Sequence, residues 1–264
     1  MPLVDPVTMS TPSTPAKAMG KSLPNTVKDP SPPPKAGSHT RSPVESPSNS
    51  YYIAASIPAL QLQIFVLLWK RLVDDPVATM SRLILPVMAL IQVFYAVVLL
   101  PVAGSGKQWR KPRPGEKKKA QGGEPNIALA ALLSLLLTLI ATPPIHALMV
   151  LFGAPFLTHA PHTFLCALNL SLLTLFPLFY TRGAEASAWR ALAGFTAPID
   201  ESVGGLVGAC FGAWLGAVPI PLDWDRDWQR WPVTVLTGIY VGYAIGSYGG
   251  RTLLRIRGYS AKRS

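Results

Sequence analysis

Six apolar runs, each near the length that crosses a lipid bilayer, constrain this chain more than any other feature of its sequence. A transmembrane α-helix needs about 20 mainly apolar residues. We therefore predict an all-α integral membrane protein with about six transmembrane helices. The predicted spans are 51–69, 83–101, 126–152, 162–180, 203–219 and 231–248.

Two of these runs contain interruptions. The first is the least apolar, because Pro58, Gln61 and Gln63 fall inside it. The third contains Pro143 and Pro144. Proline inside a helix removes a backbone hydrogen bond and clashes with the preceding turn, so we expect this helix to kink or to end its straight part there.

The composition supports a lipid environment. Apolar residues make up 49% of the chain and charged residues 14%, whereas soluble domains carry roughly 25% charged residues. The net charge of +11 would suggest a nucleic-acid partner in a soluble protein. Here the Lys and Arg residues lie between and beyond the apolar runs, so we predict membrane lipid as the surroundings and no nucleic-acid partner.

The chain divides into three parts. Residues 1–50 are rich in Pro and Ser and lack the apolar content that folding requires, so a disordered tail is expected. No apolar signal-peptide core occurs in the first 30 residues. Residues 51–250 form the predicted six-span membrane domain, and 251–264 form a basic C-terminal tail.

The distribution of basic residues predicts the orientation. Six spans put both termini on one side, together with the loops 102–125 and 181–202. That side carries 19 Lys and Arg residues and the opposite side carries 5. Cytosolic loops are enriched in Lys and Arg, so both termini and the basic loop 102–125 are predicted to be cytosolic.

Two ladders of glycines mark the last two spans. Glycines four residues apart lie on one face of a helix, where they allow a second backbone to approach closely. We predict that both ladders are helix-packing surfaces, and the sequence leaves open whether each faces the other or a different protein. The ladders are Gly204, Gly208, Gly212 and Gly216, followed by Gly238, Gly242, Gly246 and Gly250.

Residues 219–232, which we call the tryptophan loop, connect the two ladders. This loop is the candidate site for a partner or a substrate. Its carboxylates could serve chemistry on a phosphate-linked substrate, or it could be a turn in which tryptophans lie at the membrane surface and each Arg pairs with a nearby Asp. The candidate residues are Asp223, Trp224, Asp225, Arg226, Trp228 and Trp231.

We predict no catalytic residue, no metal site and no cofactor. The alternating Asp residues of the tryptophan loop lack the Gly and the Glu of a calcium loop. His159 and His162 have no third ligand at a suitable spacing, and Cys166 and Cys210 lie in apolar runs as small packing residues.

The stretch from Phe211 to Pro232, FGAWLGAVPIPLDWDRDWQRWP, resembles the signature of the PIG-F family of glycosylphosphatidylinositol (GPI) anchor biosynthesis proteins. The likeness continues through Gly238, Gly242 and Gly246. A second patch, LFGAP at 151–155 followed by HTFL at 162–165, is similar to the family as well. The resemblance covers about residues 150–250.

The resemblance implies a multi-pass protein of the endoplasmic-reticulum membrane. It also implies a non-catalytic accessory subunit that stabilises the ethanolamine-phosphate transferases, which modify mannoses of the GPI glycolipid precursor. The expected partners are therefore the catalytic subunits of those transferases. Two alternatives remain open: phosphoethanolamine-transferase chemistry by the Asp223–Asp227 segment itself, and a small lipid transporter.

Overall fold

The computed structural model describes residues 49–103, 126–194, 196–222 and 224–261. The predicted tail 1–50 and the loop 102–125 therefore lie almost entirely outside the described residues, as does Asp223. Within those ranges every regular element is helical, which confirms the predicted all-α fold class.

Eight α-helices and one π-helix account for most of the described chain. The π-helix, Met80–Ile84, joins α2 to α3 without a break, and Pro86, which has no N–H group, follows it at the start of α3. The helices are α1 (Asn49–Asp74), α2 (Pro76–Thr79), α3 (Leu85–Leu99), α4 (Ile127–Leu151), α5 (Ala160–Arg182), α6 (Ala186–Ala193), α7 (Glu201–Ala217) and α8 (Val233–Ala261).

Among the residues that the structure describes, five helical segments are long and apolar enough to cross a membrane, so the chain is an integral membrane protein. The sixth predicted span corresponds to α8, which has 29 residues. Its glycines, tyrosines and threonines make it less apolar than the other five. The five segments are Ile53–Asp74, Pro76–Leu99, Ile127–Leu151, Ala160–Arg182 and Glu201–Leu222.

The observed helices differ from the predicted spans mainly at their ends. Helix α4 continues past Pro143 and Pro144 to Leu151, so the helix does not end at the proline pair. Helix α8 runs to Ala261, into the segment predicted as a basic tail. The short helix α6 was not predicted, because its eight residues are too few to cross a bilayer.

Polar side chains connect the helices at the centre of the bundle. Gln92 of α3 is fully buried and donates to the carbonyl oxygen of Leu173 in α5, at 3.1 Å. Tyr240 of α8 donates to Asn169 of α5 at 2.9 Å, and its ring stacks on Phe65 of α1 with the centroids 4.3 Å apart. Hydrogen bonds of this kind help to hold helices together where lipid supplies no hydrophobic driving force.

Candidate functional site: a glycine seam and the tryptophan loop

The two glycine ladders face each other along the contact between α7 and α8, and we call this contact the glycine seam. A methyl group added to Gly212 would overlap the carbonyl oxygen of Gly238, and one added to Gly238 would overlap that of Gly212. Gly208 and Gly242 have the same reciprocal relation one turn away. The backbones therefore touch directly, with no side chain between them.

The seam is continuous over four helical turns. At one end Gly204 packs against Gly246 and Gly250, and at the other end Gly216 packs against the backbone of Thr234 and Val235. Close approach of this kind maximises van der Waals contact between helices, which drives helix association in lipid. The seam therefore holds both ends of the tryptophan loop close together.

Gln229 organises the interior of the tryptophan loop. Its side chain is buried, and its Nε2 donates to the carbonyl oxygen of Pro219 at 2.7 Å. Its Oε1 accepts from the backbone N–H of Arg226 at 3.2 Å. One amide thus joins the start, the middle and the end of the loop. The described residues of the loop include two short 3₁₀ turns, Ile220–Leu222 and Asp227–Gln229.

A second contact ties the loop to the beginning of α5. Trp231 donates from its indole Nε1 to the hydroxyl of Thr163 at 3.0 Å. That hydroxyl in turn donates to the carbonyl oxygen of Pro155 at 2.7 Å. Trp231 therefore has a structural role within this chain, in addition to the membrane-surface role that the sequence suggested.

The described charged residues of the loop, Asp225, Arg226, Asp227 and Arg230, are exposed to the outside of this framework. Arg230 pairs with Asp227 at 2.8 Å, and both side chains are exposed. Trp224, Asp225 and Arg226 are also exposed, and Asp225 has a φ of +46°, in the left-handed region that Asp tolerates better than most residues. The loop therefore presents charge and aromatic surface outward from a fixed backbone.

The opposite end of the seam is closed by ion pairs. Asp200 caps α7 by accepting from the N–H of Val203 at 2.9 Å, and it pairs with Arg182 of α5 at 2.7 Å. Glu201 pairs with Arg251 of α8, and the two side chains are only 16% and 9% exposed. Removing one partner of an ion pair this buried leaves an uncompensated charge in the interior, which is strongly destabilising.

Sequence reasoning singled out only some of these residues. It selected Trp231 of the tryptophan loop, but it missed Arg251 and Gln229. An Arg after an apolar run is common at the cytosolic end of a transmembrane helix, and a Gln in a polar loop matches no functional motif, so neither residue stood out in the sequence. Their roles depend on residues 50 and 10 positions away, so only the fold reveals them.

The three described histidines, His146, His159 and His162, are not grouped with the described carboxylates of the loop as a metal site. His159 and His162 lie edge to face with their centroids 5.1 Å apart, and His146 lies beside Phe156 and Phe164. Within the described ranges, no three His, Cys, Asp or Glu side chains are grouped closely enough to hold a metal ion. The geometry thus defines a polytopic membrane protein with a tightly joined last helix pair, and with a charged loop that Gln229 and Trp231 tie to the bundle at one end of that pair.

The comparison with protein families shows to which family this membrane protein belongs. Residues 56–251 match the family described as GPI biosynthesis protein family Pig-F. The chain belongs to that family, and it is therefore a GPI-anchor biosynthesis protein.

Individual relatives agree with this assignment. Glycosylphosphatidylinositol anchor biosynthesis protein 11 of Neurospora crassa is 49% identical over 96% of this chain and 98% of its own length. The protein of the same name from Aspergillus fumigatus is 40% identical over 72% of this chain and 75% of its own length. No solved structure matches this chain.

A more distant relative carries a more specific name. The human protein named GPI ethanolamine phosphate transferase, stabilizing subunit, is 40% identical over 38% of this chain and 48% of its own length. A stabilising role is thus stated for a relative whose similarity covers part of this chain.

Proposed function

We propose that this chain is an accessory, non-catalytic membrane subunit that stabilises the ethanolamine-phosphate transferases acting on mannoses of the GPI precursor. The name of the human relative supports this role. We further propose that the chain resides in the endoplasmic-reticulum membrane with both termini in the cytosol. The side assigned to the cytosol carries 19 Lys and Arg residues and the opposite side carries 5, which supports that orientation.

The observation that carries the proposal is the construction of the tryptophan loop. Its backbone is held by the seam, by Gln229 and by Trp231, so the exposed Asp225 and Arg226 have fixed positions. Charge-assisted hydrogen bonds are directional, so a rigid charged surface is suited to recognising a polar partner surface. Under the proposed topology this loop is lumenal.

The test measures association and product in the same cells. We expect Asp223→Ala or Arg226→Ala to lower co-purification of the transferase and to lower ethanolamine-phosphate addition in parallel. Arg190→Ala is a matched control, because Arg190 is an exposed arginine on α6, outside the tryptophan loop. It should leave both quantities unchanged.

One result would favour the catalytic alternative. If ethanolamine-phosphate addition were lost while the transferase still co-purified in normal amounts, the loop would act on substrate, and the accessory role would be wrong for this loop. If neither quantity changed, the partner surface would lie elsewhere on the chain.

A further inference from the structure

Two adjacent prolines lie inside α4, and neither Pro143 nor Pro144 has an N–H group to donate. In an α-helix each N–H binds the carbonyl oxygen four residues earlier, so the carbonyl oxygens of Leu139 and Ile140 lose their usual donors. Helix α4 nevertheless remains α-helical from Ile127 to Leu151. Two neighbouring backbone acceptors in this helix are therefore left without their helical hydrogen bonds.

Helix α5 contains the same kind of defect, and there the fold repairs it. Pro177 removes the donor for the carbonyl oxygen of Leu173. Gln92 reaches that oxygen from α3 and donates to it from Nε2 at 3.1 Å. A side chain on a neighbouring helix thus replaces the missing N–H group, which is one of the ways in which membrane helices accommodate proline.

No described side chain does the same for the two carbonyl oxygens of α4. The three hydroxyl groups of α4 belong to Ser134, Thr138 and Thr142, and each donates to the carbonyl oxygen four residues before it. All three side chains are buried. The hydroxyl groups of this helix are therefore engaged on its buried side and do not serve Leu139 or Ile140.

The two carbonyl oxygens belong to an exposed stretch of α4 that lies deep in the membrane. Leu139, Ile140 and both prolines are exposed. Leu139 is 12 residues from each end of α4, which is about 18 Å at 1.5 Å per residue. Because the hydrocarbon core of a bilayer is about 30 Å thick, these acceptors lie near its midplane, away from water and from lipid headgroups. Acyl chains have no hydrogen-bond donor, so a donor at this depth has to come from protein.

We propose that this stretch of α4 docks a transmembrane helix of the ethanolamine-phosphate transferase, and that a polar side chain of that helix donates to the carbonyl oxygen of Leu139 or Ile140. The donor is a Ser, Thr, Asn, Gln or His side chain, since these form hydrogen bonds between membrane helices. Leu133 and Leu136 are exposed on the same helix face as Ile140 and supply van der Waals contact. This inference rests on the proposed function, because it takes the transferase as the partner.

The first test replaces both prolines by alanine, which restores the two N–H donors without adding bulk. We expect the double variant Pro143→Ala/Pro144→Ala to lower co-purification of the transferase roughly three- to ten-fold, the effect of losing one hydrogen bond between membrane helices. Its unfolding midpoint in detergent should equal or exceed that of the unmodified chain, because alanine favours a helix. A lower midpoint would overturn the premise that the chain leaves these carbonyl oxygens unsatisfied.

Pro58→Ala is the control for this substitution. Pro58 lies inside α1 and removes the donor for the carbonyl oxygen of Ala54. Ala54 is the second residue of its span, Ile53–Asp74, so water at the membrane surface can serve that oxygen. Pro58→Ala should leave co-purification of the transferase unchanged, and an equal loss in both variants would contradict a specific role of the α4 carbonyl oxygens.

The second test identifies what covers Ile140. The full-length protein with Ile140→benzoylphenylalanine is irradiated in membranes that contain the transferase. We expect a cross-link to a transmembrane peptide of the transferase that contains one of the five donor residue types. Ile245 of α8 is the matched position, because it is 68% exposed against 69% for Ile140 and has no proline four residues after it. The same substitution at Ile245 should give no cross-link to the transferase.

Other outcomes separate this inference from the proposed function. Cross-links from position 140 to lipid alone, to a second copy of the chain, or to residues 1–48 or 104–125 would overturn the docking surface. If the transferase co-purified equally with the unmodified chain and with the double alanine variant, this inference would be wrong and the proposed function would stand. If the unmodified chain retained no transferase, both would be wrong.

Discussion

Gly242→Ala is the smallest change that tests the glycine seam. The added methyl group would overlap the carbonyl oxygen of Gly208 and would lie 3.0 Å from the α-carbon of Gly212. Both obstacles are backbone atoms within the hydrogen-bonded part of α7, so neither can rotate away as a side chain could. The two helices must therefore separate to admit the methyl group.

The expected loss in the free energy of unfolding of Gly242→Ala is the difference between two opposing contributions. Forcing an extra methyl group into a packed contact costs about 1–3 kcal/mol, and the upper half of that range applies because the obstacles are backbone. The higher helix propensity of alanine relative to glycine offsets about 1 kcal/mol of that cost. The net loss of about 1–2 kcal/mol corresponds to a fall of roughly 2–8 °C in the unfolding midpoint.

Gly249→Ala supplies the matched control on the same helix. A methyl group at Gly249 meets no atom within 4 Å, so only the helix-propensity gain remains. We expect its unfolding midpoint in detergent to equal or exceed that of the unmodified protein. Equal midpoints for Gly242→Ala and Gly249→Ala would show that α7 and α8 do not meet in this register.

Three further predictions concern the two ends of the seam. Glycosylation acceptor sites inserted at 222–230 should be modified and those inserted at 102–125 should not, and the reverse pattern would refute the proposed topology. Arg251→Ala leaves the buried carboxylate of Glu201 without its ion-pair partner and should lower the free energy of unfolding by about 3–5 kcal/mol. Arg230→Ala breaks an exposed ion pair and should lower the free energy of unfolding, measured in the same way, by at most about 1 kcal/mol. Gln229→Leu removes two hydrogen bonds and should expose the loop to proteolysis; unchanged cleavage would show that Gln229 does not order it.

The sequence alone was sufficient for the membrane class and for the position of each long helix. Both follow from local properties, because a run of about 20 apolar residues can satisfy its backbone only as a helix in lipid. The glycine ladders could also be recognised from the sequence, because a spacing of four residues is a local property that places them on one face of a helix whatever that face contacts. Helix ends were less accurate, because α1 and α8 continue beyond their apolar runs.

Only the tertiary structure decided what each face contacts. The sequence was compatible with ladders facing each other or facing another protein, and the fold pairs them with each other, which leaves a groove above the seam. It also pairs Glu201 with Arg251 and joins Gln229 to Pro219. Such contacts connect residues far apart in the chain, so they depend on how the helices are arranged in space, and no local pattern of residues specifies that arrangement.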